Sequence, residues 1–423
     1  YRPCLKCRPE LAPGNASVDA RSRLVARAVA KIEDGALSND SIEQLAQDLK
    51  VTSRHLRRVF ESELGVTPVQ FVQTQRLLLA KRLLTDTAMP ITQVALASGF
   101  ASVRRFNALF SERYRLNPRE MRKSTLSKQH VPSDTFACQL AFRPPYDWKA
   151  MLDFLRARAC PGVEHVDEER YMRTVMVDDV SGWLTVSLSD KPSTLVVTLS
   201  SSLAPKFLQV LTRLKRLFDL QAKPEIIEGQ LGSLARKHPG LRVPGACDAF
   251  EVSIRAILGQ QVSVKAASSL AGRIAREYGE EIETPFSELT LITPQASALA
   301  IADPDEISAL GVMPARAKTI IAFAKSFVRG ELELEPGVDY ETAVSKLTAL
   351  PGIGEWTAEY IAMRCLAWPD AFPHGDLGIK KSLGLTSKKA LLEETEKYRP
   401  WRAYAAMHIW KSLERRAPEL SKN

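Results

Sequence analysis

Between Ser41 and Phe60, apolar residues fall at Ile42, Leu45, Ala46, Leu49, Val51, Leu56, Val59 and Phe60, mostly at helical spacing, with a break at Lys50 to Thr52. The pattern predicts two helices and a turn. A second copy follows in residues 91–110, where Val94 and Ala95 answer Leu45 and Ala46, Gly99 sits in the turn and Phe110 answers Phe60. Thr67-Pro68 and Asn117-Pro118 then give both copies the same cap-plus-proline start for a following helix. Each second helix opens on small polar residues, Thr52 and Ser53 or Ser102, and then carries arginines: Arg54, Arg57 and Arg58, or Arg104 and Arg105. Such a helix can enter a major groove, with its side chains on base edges and phosphates.

Residues 123–135 are polar, Ser/Thr-rich and without period, which places a domain boundary there and predicts halves that move semi-independently. Beyond it the pattern changes to alternation with β-branched residues over 172–190 and 193–200, plus helices near 147–158 and 204–219. After Pro224 the chain reads almost entirely helical. The predicted fold class is therefore multidomain and mainly α: a double helix-turn-helix, a small α+β domain and an all-α domain. The expected limits are a remnant over 1–16, the double helix-turn-helix over 17–122, a linker over 123–136, the α+β domain over 137–224 and the helical domain over 225–423.

Within the helical domain, "LPGIGEW" places Gly352 and Gly354 in a tight connection between helices. The helix starting near Glu355 then points its free backbone N–H groups outward, an anion site. Without the lysine-serine pair of a P-loop, a single nucleic-acid phosphate fits better than a triphosphate. Asp376 follows Gly354 by 22 residues, behind a helix carrying Trp356 and Tyr360, and stands at the head of another helix. A carboxylate there can cap that helix and also serve chemistry.

Charge divides the chain unevenly. Residues 1–123 hold 21 Lys plus Arg against 12 Asp plus Glu, whereas the rest holds 37 of each, so the whole net charge of +9 lies in the first part. A basic domain joined to a neutral one predicts electrostatic binding of a polyanion by the first and local contacts by the second. No apolar run approaches the ~20 residues of a membrane span and no apolar leader opens the chain, so no membrane partner and a cytoplasmic location are expected. Six cysteines, of which only Cys4 and Cys7 are closely spaced, imply no disulfide framework. A start at Tyr1, two residues before that CxxC, leads to the expectation of a missing upstream segment.

The duplicated arginine-bearing units resemble the DNA-binding domain of the AraC family of regulators, over about residues 20–122. The resemblance implies a long joining helix over about 68–85 and RNA polymerase as a partner; Arg115 departs from it, standing where the first copy has Gly65. Beside such a domain, Cys4 and Cys7 resemble the tail of the Ada-type methylphosphotriester domain, which implies zinc only in an intact parent holding the upstream cysteine pair. The hairpin followed by Asp376 resembles the helix-hairpin-helix DNA glycosylase superfamily. Residues 137–415 are similar throughout to 3-methyladenine DNA glycosylase II, in "PPYDW", "RLFDLQ", "HPGLRVPGACDAFE", "RAILGQQVSV", "LPGIGEWTAEY" and "YRPWRAYAAMHIW". That resemblance implies base flipping and hydrolysis of the N-glycosidic bond of alkylated bases in double-stranded DNA, with Asp376 as the catalytic carboxylate. It places a base pocket at Phe154, Trp356, Tyr360 and Trp410 and DNA contacts at Gly352, Gly354, Thr357, Gln260 and Gln261. Polar Gln261 stands where the family inserts an apolar wedge. No cofactor is required for the chemistry; a monovalent cation is expected on the carbonyls of Thr348, Leu350 and Ile353. With Trp356 where lyase members carry lysine, the chemistry expected is hydrolysis alone. The rival from another class is a transcription factor with an inert glycosylase-like sensor.

Overall fold

The structure is a computed structural model that describes residues 20–33, 41–86, 89–125 and 134–414. Cys4, Cys7 and the expected remnant over 1–16 lie outside the described residues. The chain folds as two compact units. One reaches to Ala141 and includes Met172–Lys215; the other comprises Phe142–Tyr171 and the chain from Arg216 onward. The expected α+β segment, 137–224, thus contributes to both. Among the described residues no helix is long and apolar enough to cross a membrane, and Cys138, Cys160, Cys247 and Cys365 are buried.

In the first unit the two copies fold as helix pairs, Ile42–Asp48 with Ser53–Leu64 and Ile91–Ala97 with Val103–Tyr114. Thr52 and Ser102 cap the two second helices by accepting the N–H of His55 and Arg105, each at 3.2 Å, the short-range bond that small polar residues supply at a helix start. The following helices, Pro68–Asp86 and Pro118–Thr125, open on reciprocal capping boxes, Thr67 with Gln70 and Asn117 with Glu120. Leu45, Leu56 and Phe60 in one copy and Val94, Phe106 and Phe110 in the other are fully buried.

Each copy has two left-handed positions, and each fills one with glycine and one with a basic residue. The first has Lys50 in its turn (φ +57) and Gly65 after its second helix (φ +69); the second has Gly99 (φ +76) and Arg115 (φ +57). Arg115 makes the same cap as Gly65, its N–H reaching Ser111 O at 2.9 Å as that of Gly65 reaches Glu61 O. The departure from glycine therefore costs strain without altering the turn. This unit also holds strands in the order Thr135–Ala141, Thr194–Ser200, Val180–Leu188 and, for most of its length, Arg170–Val177. Val197 pairs with Cys138 on one side and Val186 on the other in antiparallel register, and all three are buried.

The second unit is mainly helical around one large core, in which the helix Ala249–Leu258 buries Phe250, Ile254, Ile257 and Leu258. Phe154, Tyr360 and Trp410 pack against this core while remaining half-buried. A smaller cluster of Phe372, Ile379, Leu391, Ala406 and Ile409 seats the short helix Leu377–Leu383 and so fixes where Asp376 stands.

Candidate active site

The helices Tyr340–Thr348 and Glu355–Arg364 form the hairpin. Gly352 has φ +85, and a Cβ there would lie 2.0 Å from Thr319 Oγ1, whose hydroxyl donates to Pro351 O at 3.0 Å. Glycine is obligatory at that position for both conformation and space. Gly354 differs: its φ of −88 suits any residue and a Cβ would meet nothing within 4 Å. Its missing side chain leaves the exterior open in front of the helix start. No side chain caps that helix, and the first bond back to the turn is Ala358 N–H to Gly354 O at 3.0 Å. The N–H groups of Glu355, Trp356 and Thr357 are left without intrahelical partners, aimed outward.

Gln260 reaches this hairpin from the end of the helix Ala249–Leu258. Its amide donates to Gly352 O and Thr357 Oγ1, both at 2.9 Å, and Arg316 donates to its carbonyl. The side chains of Gln260 and the buried Thr357 therefore brace the turn. Gln261 is exposed with φ +54, beside the exposed Val262.

Asp376 caps the helix Leu377–Leu383 by accepting Ile379 N–H on Oδ1 at 2.9 Å. The same oxygen accepts Trp410 Nε1–H at 3.0 Å, and Oδ2 accepts Trp356 Nε1–H at 3.3 Å. Three donors from three elements thus fix the plane of one carboxylate. Two glycines make room for it: a Cβ at Gly378 would lie 3.0 Å from Asp376 Oδ1, and one at Gly375 would lie 3.2 Å from Trp356 Cβ. Trp356 and Tyr360, four apart on the hairpin helix, stack at 5.5 Å and 15°, and Tyr360 meets Trp410 at 6.4 Å.

The fourth expected pocket aromatic has a different neighbourhood. The Arg158 guanidinium sits 3.7 Å over the Phe154 ring and that of Arg364 lies 5.0 Å from it, so a face of Phe154 already holds a cation. Arg364, buried, also donates to Tyr360 OH at 2.6 Å and Gly245 O at 3.0 Å. Burial pushes the Tyr360 phenol up, but Arg364 and Arg158 together outweigh it and hold the phenol below its ordinary value. Both arginines stand four residues after a pocket aromatic, a helical spacing visible in the sequence. His374, in the loop that leads to Asp376, is buried, with Nε2 2.9 Å from Glu355 Oε2.

Comparison with known proteins places each part of the chain in a family. Residues 45–124 match a helix-turn-helix domain family, residues 137–248 the AlkA N-terminal domain, and residues 254–398 the HhH-GPD superfamily of base excision DNA repair proteins. A Mycobacterium tuberculosis (strain H37Rv) protein described as a probable bifunctional transcriptional activator/DNA repair enzyme AlkA is 36% identical over 98% of this chain and 85% of its own length. DNA-3-methyladenine glycosylase 2 of Escherichia coli K12 is 41% identical over 64% of this chain and 95% of its own. The chain belongs to the AlkA family. It carries that family's glycosylase joined to an AraC-type regulator domain. Among solved structures, the 3-methyladenine DNA-glycosylase of Archaeoglobus fulgidus (TM-score 0.56, 22% identity, 64% of this chain and 96% of that one) shares the fold. So does an 8-oxoguanine glycosylase/lyase of Clostridium acetobutylicum (TM-score 0.54, 17% identity, 67% and 97%). The fold alone thus serves glycosylases with and without the lyase label, and the AlkA family membership is what narrows the chemistry.

Proposed function

We propose that this chain excises alkylated purines of the 3-methyladenine and 7-methylguanine type from double-stranded DNA by hydrolysis, and that its AraC-type domain binds duplex DNA as a regulator of transcription. The observation that carries the enzymatic reading is Asp376, held by two indole N–H groups beside the open start of the hairpin helix. In this reading a backbone phosphate sits on the free N–H groups after Gly354, and the target nucleotide is flipped out at a cost of a few kcal/mol, least for a damaged base. The indoles of Trp356 and Trp410 offer ring faces that attract a cationic alkylated base. Such a base is already a good leaving group, so one carboxylate suffices: Asp376 stabilises the positive charge developing on the sugar and orients water.

Trp356, two residues past Gly354, presents an indole to Asp376 where a lyase would need a primary amine for a Schiff base. The product is therefore an intact abasic strand, and no borohydride-trapped adduct forms. A monovalent cation fits the turn carbonyls of Thr348, Leu350 and Ile353, since Leu350 O accepts Ile353 N–H (3.1 Å) and, among the described residues, keeps a lone pair. It would steady the turn without entering the chemistry. RNA polymerase is the partner we assign to the regulator domain, and the cytoplasm the place of action.

Single-turnover release of 7-methylguanine by Asp376→Asn protein tests the reading. Asn keeps the shape and the helix cap but not the charge. The rate should fall about a hundredfold to a thousandfold, a loss of about 2.7 to 4 kcal/mol of transition-state stabilisation, while affinity for abasic-site DNA is retained. Near-normal release would leave Asp376 a helix cap only and favour the inert sensor.

A further inference from the structure

Glu355 and Glu359 lie four residues apart on the hairpin helix, and both grip the loop that leads to Asp376. Glu359 Oε2 accepts Phe372 N–H at 3.0 Å; Glu355 Oε2 meets His374 Nε2 at 2.9 Å, with the ring's Nδ1 3.3 Å from Phe372 O. Past Asp376, Lys388 Nζ donates to both oxygens of Glu355 at 2.7 and 2.8 Å. One carboxylate therefore holds the chain on both sides of the seven-residue helix that Asp376 caps. Lys388 first and His374 second keep the Glu355 carboxyl below the usual range. That carboxylate occupies the first turn of the hairpin helix, beside the N–H groups read above as the phosphate anchor, where its charge would oppose a phosphate if it were not drawn to those two partners.

Packing already secures the loop, since Phe372 and Ile379 are 2% and 0% exposed. The His374 contact is thus free to set orientation without being what folds the segment. We propose that His374 is a positioning residue: through Glu355 it fixes the distance and angle between the hairpin's phosphate anchor and Asp376, so that a sugar tethered at the anchor meets the carboxylate. His374 touches neither base nor sugar. The inference rests on Asp376 as the catalytic carboxylate.

The test uses the full chain and measures single-turnover 7-methylguanine release together with affinity for abasic-site duplex. His374→Leu should lower the rate about tenfold and leave affinity within about twofold, because misplacement of a bound sugar costs rate more than binding. His374→Gln, whose amide N–H reaches Glu355, should recover the rate to within about threefold of wild type. In a Glu355→Ala background, His374→Leu should add less than about a twofold loss, since its route to Asp376 is already cut. Equal losses of rate and affinity, no rescue by Gln, or additive losses in the double variant would each overturn the proposal. Asp376→Asn is measured alongside. If it excises normally, the catalytic reading itself fails; if it is inactive while His374→Leu is normal, only this inference fails.

Discussion

Arg54, Arg104 and Arg105 project exposed from the second helices of the two pairs and make no side-chain hydrogen bond among the described residues, whereas Asp376 accepts three hydrogen bonds. Among the described residues, Arg57 and Arg58 each make a side-chain hydrogen bond at 3.2 Å, Arg57 to the exposed Glu43 and Arg58 to the half-buried His55. Under the function proposed above, the difference follows from what each charge would do. A binding helix gains affinity by releasing counterions when flexible cations meet phosphates, and that needs reach and exposure more than a fixed geometry. A carboxylate that stabilises a transition state has to be oriented in advance, because reorganising it at the moment of reaction would consume the energy it supplies. Charge is left free in one region and immobilised in the other.

The largest blow to the immobilised side comes from Gly352→Ala. At φ +85 and with a Cβ 2.0 Å from Thr319 Oγ1, the hairpin cannot close, and a cost of about 2 to 5 kcal/mol is expected from strain and overpacking together. Affinity for abasic-site DNA should fall with it. Gly354→Ala should keep the wild-type melting temperature and lose affinity alone, since its Cβ meets only the space in front of the helix. Equal stability losses in the two variants would erase the distinction between a conformational glycine and an approach glycine.

Buried titration should also separate the regions. In the glycosylase unit Asp219 is pushed up to about 6 by burial and His408 down to about 4, also by burial. Their signs oppose. Folded Asp219 takes up a proton that the unfolded carboxylate, near 3.8, does not, so it adds stability as pH falls through about 6. Unfolded His408 takes up a proton near 6.5 that the folded ring refuses, so stability is lost as pH falls from there toward 4. Each amounts to about 3 kcal/mol at most and the two nearly cancel. His408→Gln should therefore become more stable relative to wild type between pH 6.5 and 4.5, read as a rising urea midpoint. A difference that stays flat with pH would show that His408 does not titrate as its burial demands.

On the free-charge side, Arg104→Ala with Arg105→Ala should reduce the slope of log affinity against log salt by about 1.8, about 0.9 for each phosphate no longer neutralised, with base excision unchanged. An unchanged slope would mean that these arginines do not meet phosphates. The smallest expected effect concerns the swapped left-handed positions. Lys50→Gly and Arg115→Gly should each stabilise the helix-turn-helix region by about 0.5 to 1 kcal/mol in thermal melts, relief of strain being partly offset by the freedom glycine has in the unfolded chain. Destabilisation by either change would show that its side chain contributes more than the backbone strain costs.

Several parts of this protein were legible in the residues alone. The duplicated helix pairs, their Thr and Ser caps, the helix starts at Pro68 and Pro118, the two-glycine turn and the position of Asp376 at a helix head are all written in spacings of about four residues or fewer, and such short-range bonds form wherever the pattern occurs. The exposure of Arg54, Arg104 and Arg105 was readable for the same reason, since it depends on no distant partner. What tertiary structure decided is who answers whom across the chain. Asp376 is held by Trp356 and Trp410, 20 and 34 residues away, and Gln260 bonds to Gly352, 92 residues away. His374 is buried against Glu355, and one face of Phe154 holds Arg158. Contacts closed over such distances leave no period in the sequence. They depend on how whole helices pack around a shared core, and that packing selects, among many polar groups of the right type, the few that end within about 3 Å of one another.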